Sequence, residues 1–276
     1  MIERRAFVSL LAAAALSGVG ACASAQRRAR RLGRIGAQLY TVRGAMERDF
    51  DGTLERVRRI GYDEVEFAGY FGRSPRRVRD AVARAGLAAP AAHVELDTIE
   101  SGWSRALDDA NVIGHDYLVL AWIAPERRRT ADDWRRLAAL LVGAGEAARA
   151  AGIRLAYHNH DYEFTPVDGV VPFDLLLAQT DPASVAFELD VYWMMKAGRD
   201  PIEYLGRGPS RFELLHVKDT AGPPTHAMAD VGDGITDWTG VLSASVEAGV
   251  RHWFVEHDQP ADEFNSLRAG YEYLSS

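Results

Sequence analysis

Residues 130–160 read TADDWRRLAALLVGAGEAARAAGIRLAYHNH. Thr130 suits a helix N-terminus, because its hydroxyl oxygen accepts a backbone N–H that the helix itself leaves unpaired. Ala131–Ala151 then runs as a helix with no proline, and Gly152 ends it where the chain must turn out with positive φ. Arg154–His158 follows as a run of strand length. His158, Asn159 and His160 stand where that strand stops. Capped helix, glycine, strand and polar strand end make one unit, and that order recurs along the chain.

Outward from this unit, eight strands are expected: Ile35–Tyr40, Glu64–Phe67, Ala88–Val94, Tyr117–Ala121, Arg154–His158, Val185–Leu189, Glu213–Val217 and Trp253–Glu256. Helices lie between them. Phe50–Ile60 places Leu54, Val57 and Ile60 at three-residue spacing, one face of a helix. Pro75–Ala85 has Ser74 as a cap and proline in its first turn. Trp238–Ala248 has Asp237 before it and Gly249 after it, and Gly61 and Gly86 close earlier helices in the same way. Alternation of this kind implies βαβ units and a parallel sheet. A single-domain α/β barrel takes roughly 250 residues, and no linker divides 35–276. Pro223-Pro224 falls inside the loop after strand seven. The expected fold class is therefore α/β, a single closed (β/α)8 TIM barrel over 35–276. The first βα turn, Leu39-Tyr40-Thr41-Val42-Arg43-Gly44, has no G-x-G-x-x-G, so no dinucleotide site is expected.

The 276 residues are 47% hydrophobic and 26% charged, a globular composition, with a formal net charge of −7. A nucleic-acid partner is not expected, since a phosphate-backbone binder normally shows a basic face. Residues 1–25 read as a cleavable export signal: Arg4-Arg5, then an apolar, alanine-rich stretch from Ala6 to Ala21, too short for the ~20 residues of a spanning helix. Glu3-Arg4-Arg5-Ala6-Phe7-Val8 resembles a twin-arginine signal. Val19-Gly20-Ala21-Cys22 resembles a lipobox, which would attach the chain to a membrane through a lipid on Cys22; Ala23-Ser24-Ala25 is the alternative, a plain cleavage site. Residues 26–34, with five arginines, form a basic tether. The expectation is an exported, periplasmic protein. Cys22 is the only cysteine, which excludes an intrachain disulfide and a thiolate zinc site.

Active sites of such barrels lie at the C-terminal ends of the strands. There the sequence concentrates Glu66, His93 and Glu95, then His158-Asn159-His160-Asp161-Tyr162-Glu163-Phe164, Glu188-Leu189-Asp190, His216-Val217-Lys218-Asp219 and Glu256-His257-Asp258. Charged groups are rarely buried without a partner or a metal. One divalent cation would neutralise several carboxylates together, and His, Asp and Glu ligands suit Mn, Co, Zn, Fe or Mg.

On these motifs, with Gly232-Asp233-Gly234-Ile235-Thr236-Asp237-Trp238, the chain resembles the xylose isomerase-like barrels, specifically their sugar phosphate isomerase/epimerase branch. The likeness covers nearly all of 35–276. It implies one divalent metal, with Asp190, His216 and Glu256 as the ligands from strands six, seven and eight. The strand-five ligand of that family is usually Glu, and here His158 stands in its place. Either His158 binds the metal or Glu163 reaches back from the loop, with Glu163 preferred because it restores a carboxylate. His158 and Glu256 are the candidate acid/base pair, and Lys218 the candidate for steadying an oxyanion by charge. Glu66, His93 and His160 are candidate substrate contacts. So is Trp193, whose ring can carry the apolar face of a sugar.

Each candidate also has a plain structural role to weigh: a helix cap for Asp190, a satisfied core imidazole for His216, a salt bridge for Glu256, an ion pair between Lys218 and Asp219. Trp122, Tyr192 and Trp238 are expected to be packing residues. The implied function is a metal-dependent sugar isomerase or epimerase, or a lyase, that removes a proton next to a carbonyl of a small carbohydrate. The alternative is a non-catalytic, exported sugar-binding lipoprotein on the same barrel. A homodimer suits this barrel class, although no segment marks its interface.

Overall fold

The computed structural model describes residues 32–208 and 210–276. The export signal of 1–25, Cys22 and all but the end of the tether lie outside the described residues. Eight parallel strands close a barrel in sequence order: β1 (Gly36–Gln38), β2 (Glu64–Phe67), β3 (Ala88–Val94), β4 (Tyr117–Leu120), β5 (Arg154–His158), β6 (Val185–Asp190), β7 (Phe212–Val217) and β8 (His252–Val255). Each is followed by a helix of the outer ring: α1 (Phe50–Ile60), α2 (Pro75–Ala85), α3 (Trp103–Ile113), α4 (Ala131–Ala150), α5 (Pro172–Gln179), α6 (Pro201–Arg207), α7 (Trp238–Ala248) and α8 (Glu263–Ser275). Among the described residues, no helix is long and apolar enough to cross a membrane.

Local chemistry explains the element ends. Thr130 and Asp133 form a reciprocal capping box at the start of α4, which pairs two backbone N–H groups that would otherwise be orphaned. Gly152 follows α4 with φ 79°, a region that favours glycine. Within α4, a Cβ on Gly145 would lie 2.3 Å from the Ser184 carbonyl oxygen, so glycine is what lets that helix seat against the approach to β6. Ser74 precedes α2 but makes no side-chain cap bond, contrary to expectation. β1 is shorter than expected: the Gln38 side chain accepts from Tyr40 N–H, and Leu39–Val42 turns away as a 3-10 helix. β6 runs one residue further than expected, through Asp190.

The barrel interior is stratified. Ala91, Tyr117, Val119, Ala156, Ala186, Leu214 and Phe254 form an apolar layer. Phe254 fits there because β1 carries Gly36 beside it, where a Cβ would meet the ring at 2.4 Å. Towards the strand ends, the inward positions become polar. Side chains two apart on a strand share a face, so β6 sends both Glu188 and Asp190 inward. His216 and Lys218 do the same at the end of β7.

Candidate active site

Two polar layers stack on the apolar one. The inner layer joins Glu66, His93, Glu188 and His216. His216 Nε2 lies 2.7 Å from Glu66 Oε2 and 3.1 Å from Glu188 Oε2. His93 Nε2 lies 3.1 Å from Glu188 Oε2 and 3.4 Å from Glu66 Oε2. The Gln38 amide donates to Glu66 Oε2 at 2.7 Å. Burial works against a charge on His93, but Glu66 and Glu188 overcome it and push its pKa up to about 10.

The outer layer joins His158, Asp190, His216 and Glu256, whose ligating atoms all lie within 4.8 Å of one another. His158 Nε2 is 3.2 Å from Asp190 Oδ2. His216 Nδ1 is 3.6 Å from Asp190 Oδ2 and 2.8 Å from Glu256 Oε2. These separations suit neighbouring ligands of a small divalent ion with bonds of about 2.0–2.2 Å. The outward nitrogens strengthen the fit. His158 Nδ1 meets the Ala121 carbonyl at 3.3 Å, an atom that only accepts, so that nitrogen is the donor. His216 Nε2 faces carboxylates in the same way. In the neutral rings, both remaining lone pairs turn toward Asp190 and Glu256. His216 Nδ1 is buried with no hydrogen-bond partner and faces Glu256 Oε2. The residues fit a divalent metal.

Lys218 adds a fixed positive charge. Its Nζ is 3.0 Å from Asp190 Oδ2, 2.7 Å from Glu256 Oε2 and 2.8 Å from Asp258 Oδ1. Burial works against each of these charges, but the lysine and the carboxylates reverse it: the Lys218 pKa is held well above its ordinary value, and those of Asp190 and Glu256 well below theirs. An ammonium has three N–H donors, and each has a carboxylate here. Lys218 thus balances the charge of the cluster, and it also lines the cavity above it. It does not pair with Asp219, which collects donors from Gly232, Thr236 and Trp238 and so anchors the 232–238 loop.

Several expected positions differ. Glu163 stands apart from the four-residue cluster. Tyr157 donates to its Oε1 at 2.7 Å and the His160 backbone N–H to its Oε2 at 2.9 Å; burial pushes its pKa up to about 8. Glu66, expected as a substrate contact, lies against His216 and is not among the residues that line the cavity. Asp190 combines both roles considered for it: Oδ1 accepts from Trp193 N–H as a helix cap, and Oδ2 enters the cluster. Trp122, expected to be packing, is 45% exposed at the cavity mouth. Gln38 is not among the expected rim residues, and Glu188 and Asp258 are there only as parts of rim motifs, with no role assigned. For Glu188 the signal was present, since it sits two residues before Asp190 on one strand.

Above the cluster opens a cavity of about 1040 Å³ at the C-terminal mouth of the barrel. Its lining includes His93, His158, His160, Trp193, Lys218 and Glu256. The His160 ring stacks on that of Tyr162 and lies near that of Trp193, with centroids at 5.4 and 5.1 Å.

Residues 54–275 match the family model described as xylose isomerase-like TIM barrel. The chain belongs to that family. Two solved structures are similar in fold. A sugar phosphate isomerase/epimerase from Parabacteroides distasonis ATCC 8503 has 25% identity and a TM-score of 0.77 over 88% of this chain and 96% of its own. The IOLI protein, solved with a bound zinc atom, has 16% identity and a TM-score of 0.68 over 87% and 96%; at that identity only the fold is shared. Among curated proteins, an inosose dehydratase from Lacticaseibacillus casei is 29% identical over 167 residues. That match takes in 53% of this chain and spans about half the length of the relative, 55%.

Proposed function

We propose that the protein is a divalent-metal-dependent enzyme that removes a proton next to the carbonyl of a keto-sugar, with loss of water as the outcome. The observation that carries this reading is the convergence of His158, Asp190, His216 and Glu256 beneath an open cavity. These four residues would hold the metal. When bound, it supplies Lewis-acid polarisation of substrate oxygens. The zinc in the IOLI structure and the name inosose dehydratase support the reading.

Glu256 places one oxygen in the cluster and also lines the cavity. That makes it the carboxylate base for the substrate proton. Epimerisation asks for proton removal on one face and return on the other, and the second carboxylate usual at strand five is replaced by His158. A single base suits elimination. Glu256 takes the proton from carbon and returns it to the departing hydroxyl, so that C–H and C–O bonds break, a C=C bond forms and water leaves. Lys218 keeps Glu256 in the ionised form that a base requires. Export to the periplasm is part of the proposal and rests on residues 1–25.

The test incubates full-length protein, with Mn, Co or Zn, with inosose and a panel of keto-sugars in D₂O. Enone absorbance reports elimination, and NMR reports deuterium entering at carbon. Metal-dependent enone formation that is lost in Asp190→Ala is the expected result. Deuterium entry with an inverted centre and no enone would replace elimination with epimerisation. Neither signal with any substrate would leave the non-catalytic sugar binder.

A further inference from the structure

The cavity is larger and differently lined than a single sugar ring requires. At about 1040 Å³ it lies just above the roughly 300–1,000 Å³ range of sites that enclose drug-sized ligands. Trp193 lies near the cluster. Tyr40, after β1, and Trp122, after β4, stand at the mouth with 40% and 45% of their surfaces exposed. The Tyr40 ring is covered by Arg43, whereas the Trp122 ring offers an exposed apolar face at the cavity mouth, and sugar rings present C–H faces that fit such a surface.

The polar lining matches hydroxyls better than phosphate. Trp193 Nε1, His160 Nδ1 and His226 Nδ1 are buried without hydrogen-bond partners, and all three residues line the cavity. The cations there are already engaged. Lys218 is held by three carboxylates, Lys196 pairs with Asp161 at 3.1 Å, and Arg43 donates to the Tyr40 carbonyl and covers the Tyr40 ring. Glu95, Glu256 and Asp258 supply negative charge to the same lining. Among the described residues of the lining, every lysine and arginine is engaged in this way.

We propose that this site takes an uncharged glycoside of at least two sugar units, the reacting unit over the cluster and the second against Trp122. This rests on the sugar-modifying reading above and adds a substrate class to it. Trehalose, maltose, cellobiose and lactose are titrated into full-length protein by calorimetry, beside methyl glucoside, methyl galactoside and glucose 6-phosphate. At least one disaccharide is expected to bind about ten-fold more tightly than the methyl glycosides, a gain on the scale of one aromatic contact. Trp122→Ala, an exposed position, should remove that advantage and leave methyl glycoside affinity unchanged. Equal affinities, an advantage that survives Trp122→Ala, tightest binding of glucose 6-phosphate or no sugar binding would each overturn the proposal. The keto-sugar assay is read separately: elimination of single-ring substrates with no disaccharide preference sinks this inference alone.

Discussion

His216 Nε2 lies 2.7 Å from Glu66 Oε2, and this contact sets which face of the imidazole meets the cluster. With Nε2 donating to Glu66, it is Nδ1 that turns to Asp190 and Glu256. A buried carboxylate behind a histidine orients the ring and raises its basicity as a ligand.

Replacing Glu66 should therefore act through His216. Glu66→Ala is expected to weaken zinc or manganese binding about 10–100-fold, and Glu66→Gln less, because its amide oxygen still accepts from Nε2. Chelator competition measures the affinity, with circular dichroism to verify the fold. Unchanged affinity in both variants would remove Glu66 from the positioning role.

His158 stands where a carboxylate is usual in the family. In His158→Glu, a third carboxylate joins Asp190 and Glu256 without an added balancing charge. The metal-free protein should lose about 1–3 kcal/mol, and added zinc or manganese should raise the melting temperature more than in the wild type. A variant that melts normally and gains no extra metal response would place His158 outside the ligand set.

Lys218→Met removes a buried ammonium from three carboxylates. Breaking a buried charge set by deleting one partner costs about 3–5 kcal/mol, which lowers the melting temperature by about 10 °C for a chain of this size. Added divalent metal should recover part of that loss. An unchanged thermal melt would show that the carboxylates are not held by this lysine.

Glu163 gives the protein a pH dependence of its own. Its pKa is about 8 in the folded protein against an ordinary 4.5, so between those values the folded state binds the extra proton. The group's contribution to stability is complete below about pH 4.5 and is lost as pH rises through about 8. Glu163→Gln should flatten that part of the melting-temperature profile and stabilise the protein most above pH 8. Parallel profiles for variant and wild type would contradict the assigned shift.

The eight-unit barrel was legible in the sequence because its signals are local. Gly61, Gly86, Gly152 and Gly249 each end a helix, and Thr130 and Asp237 begin one, through contacts within a few residues. The polar strand ends were legible for the same reason: where a strand stops, its last side chains reach the rim. The sequence by itself therefore determined the fold class and the rim residues from which a site is drawn. Which of them meet was decided only by the tertiary structure. Glu163 and His158 are five residues apart, yet a 3-10 turn directs Glu163 to Tyr157, while His158 reaches Asp190 across the strand pair. Glu66 and His216 are 150 residues apart and meet because the barrel closes and its stagger sets their heights. Register around a closed sheet belongs to all eight strands together, and no single stretch of chain carries it.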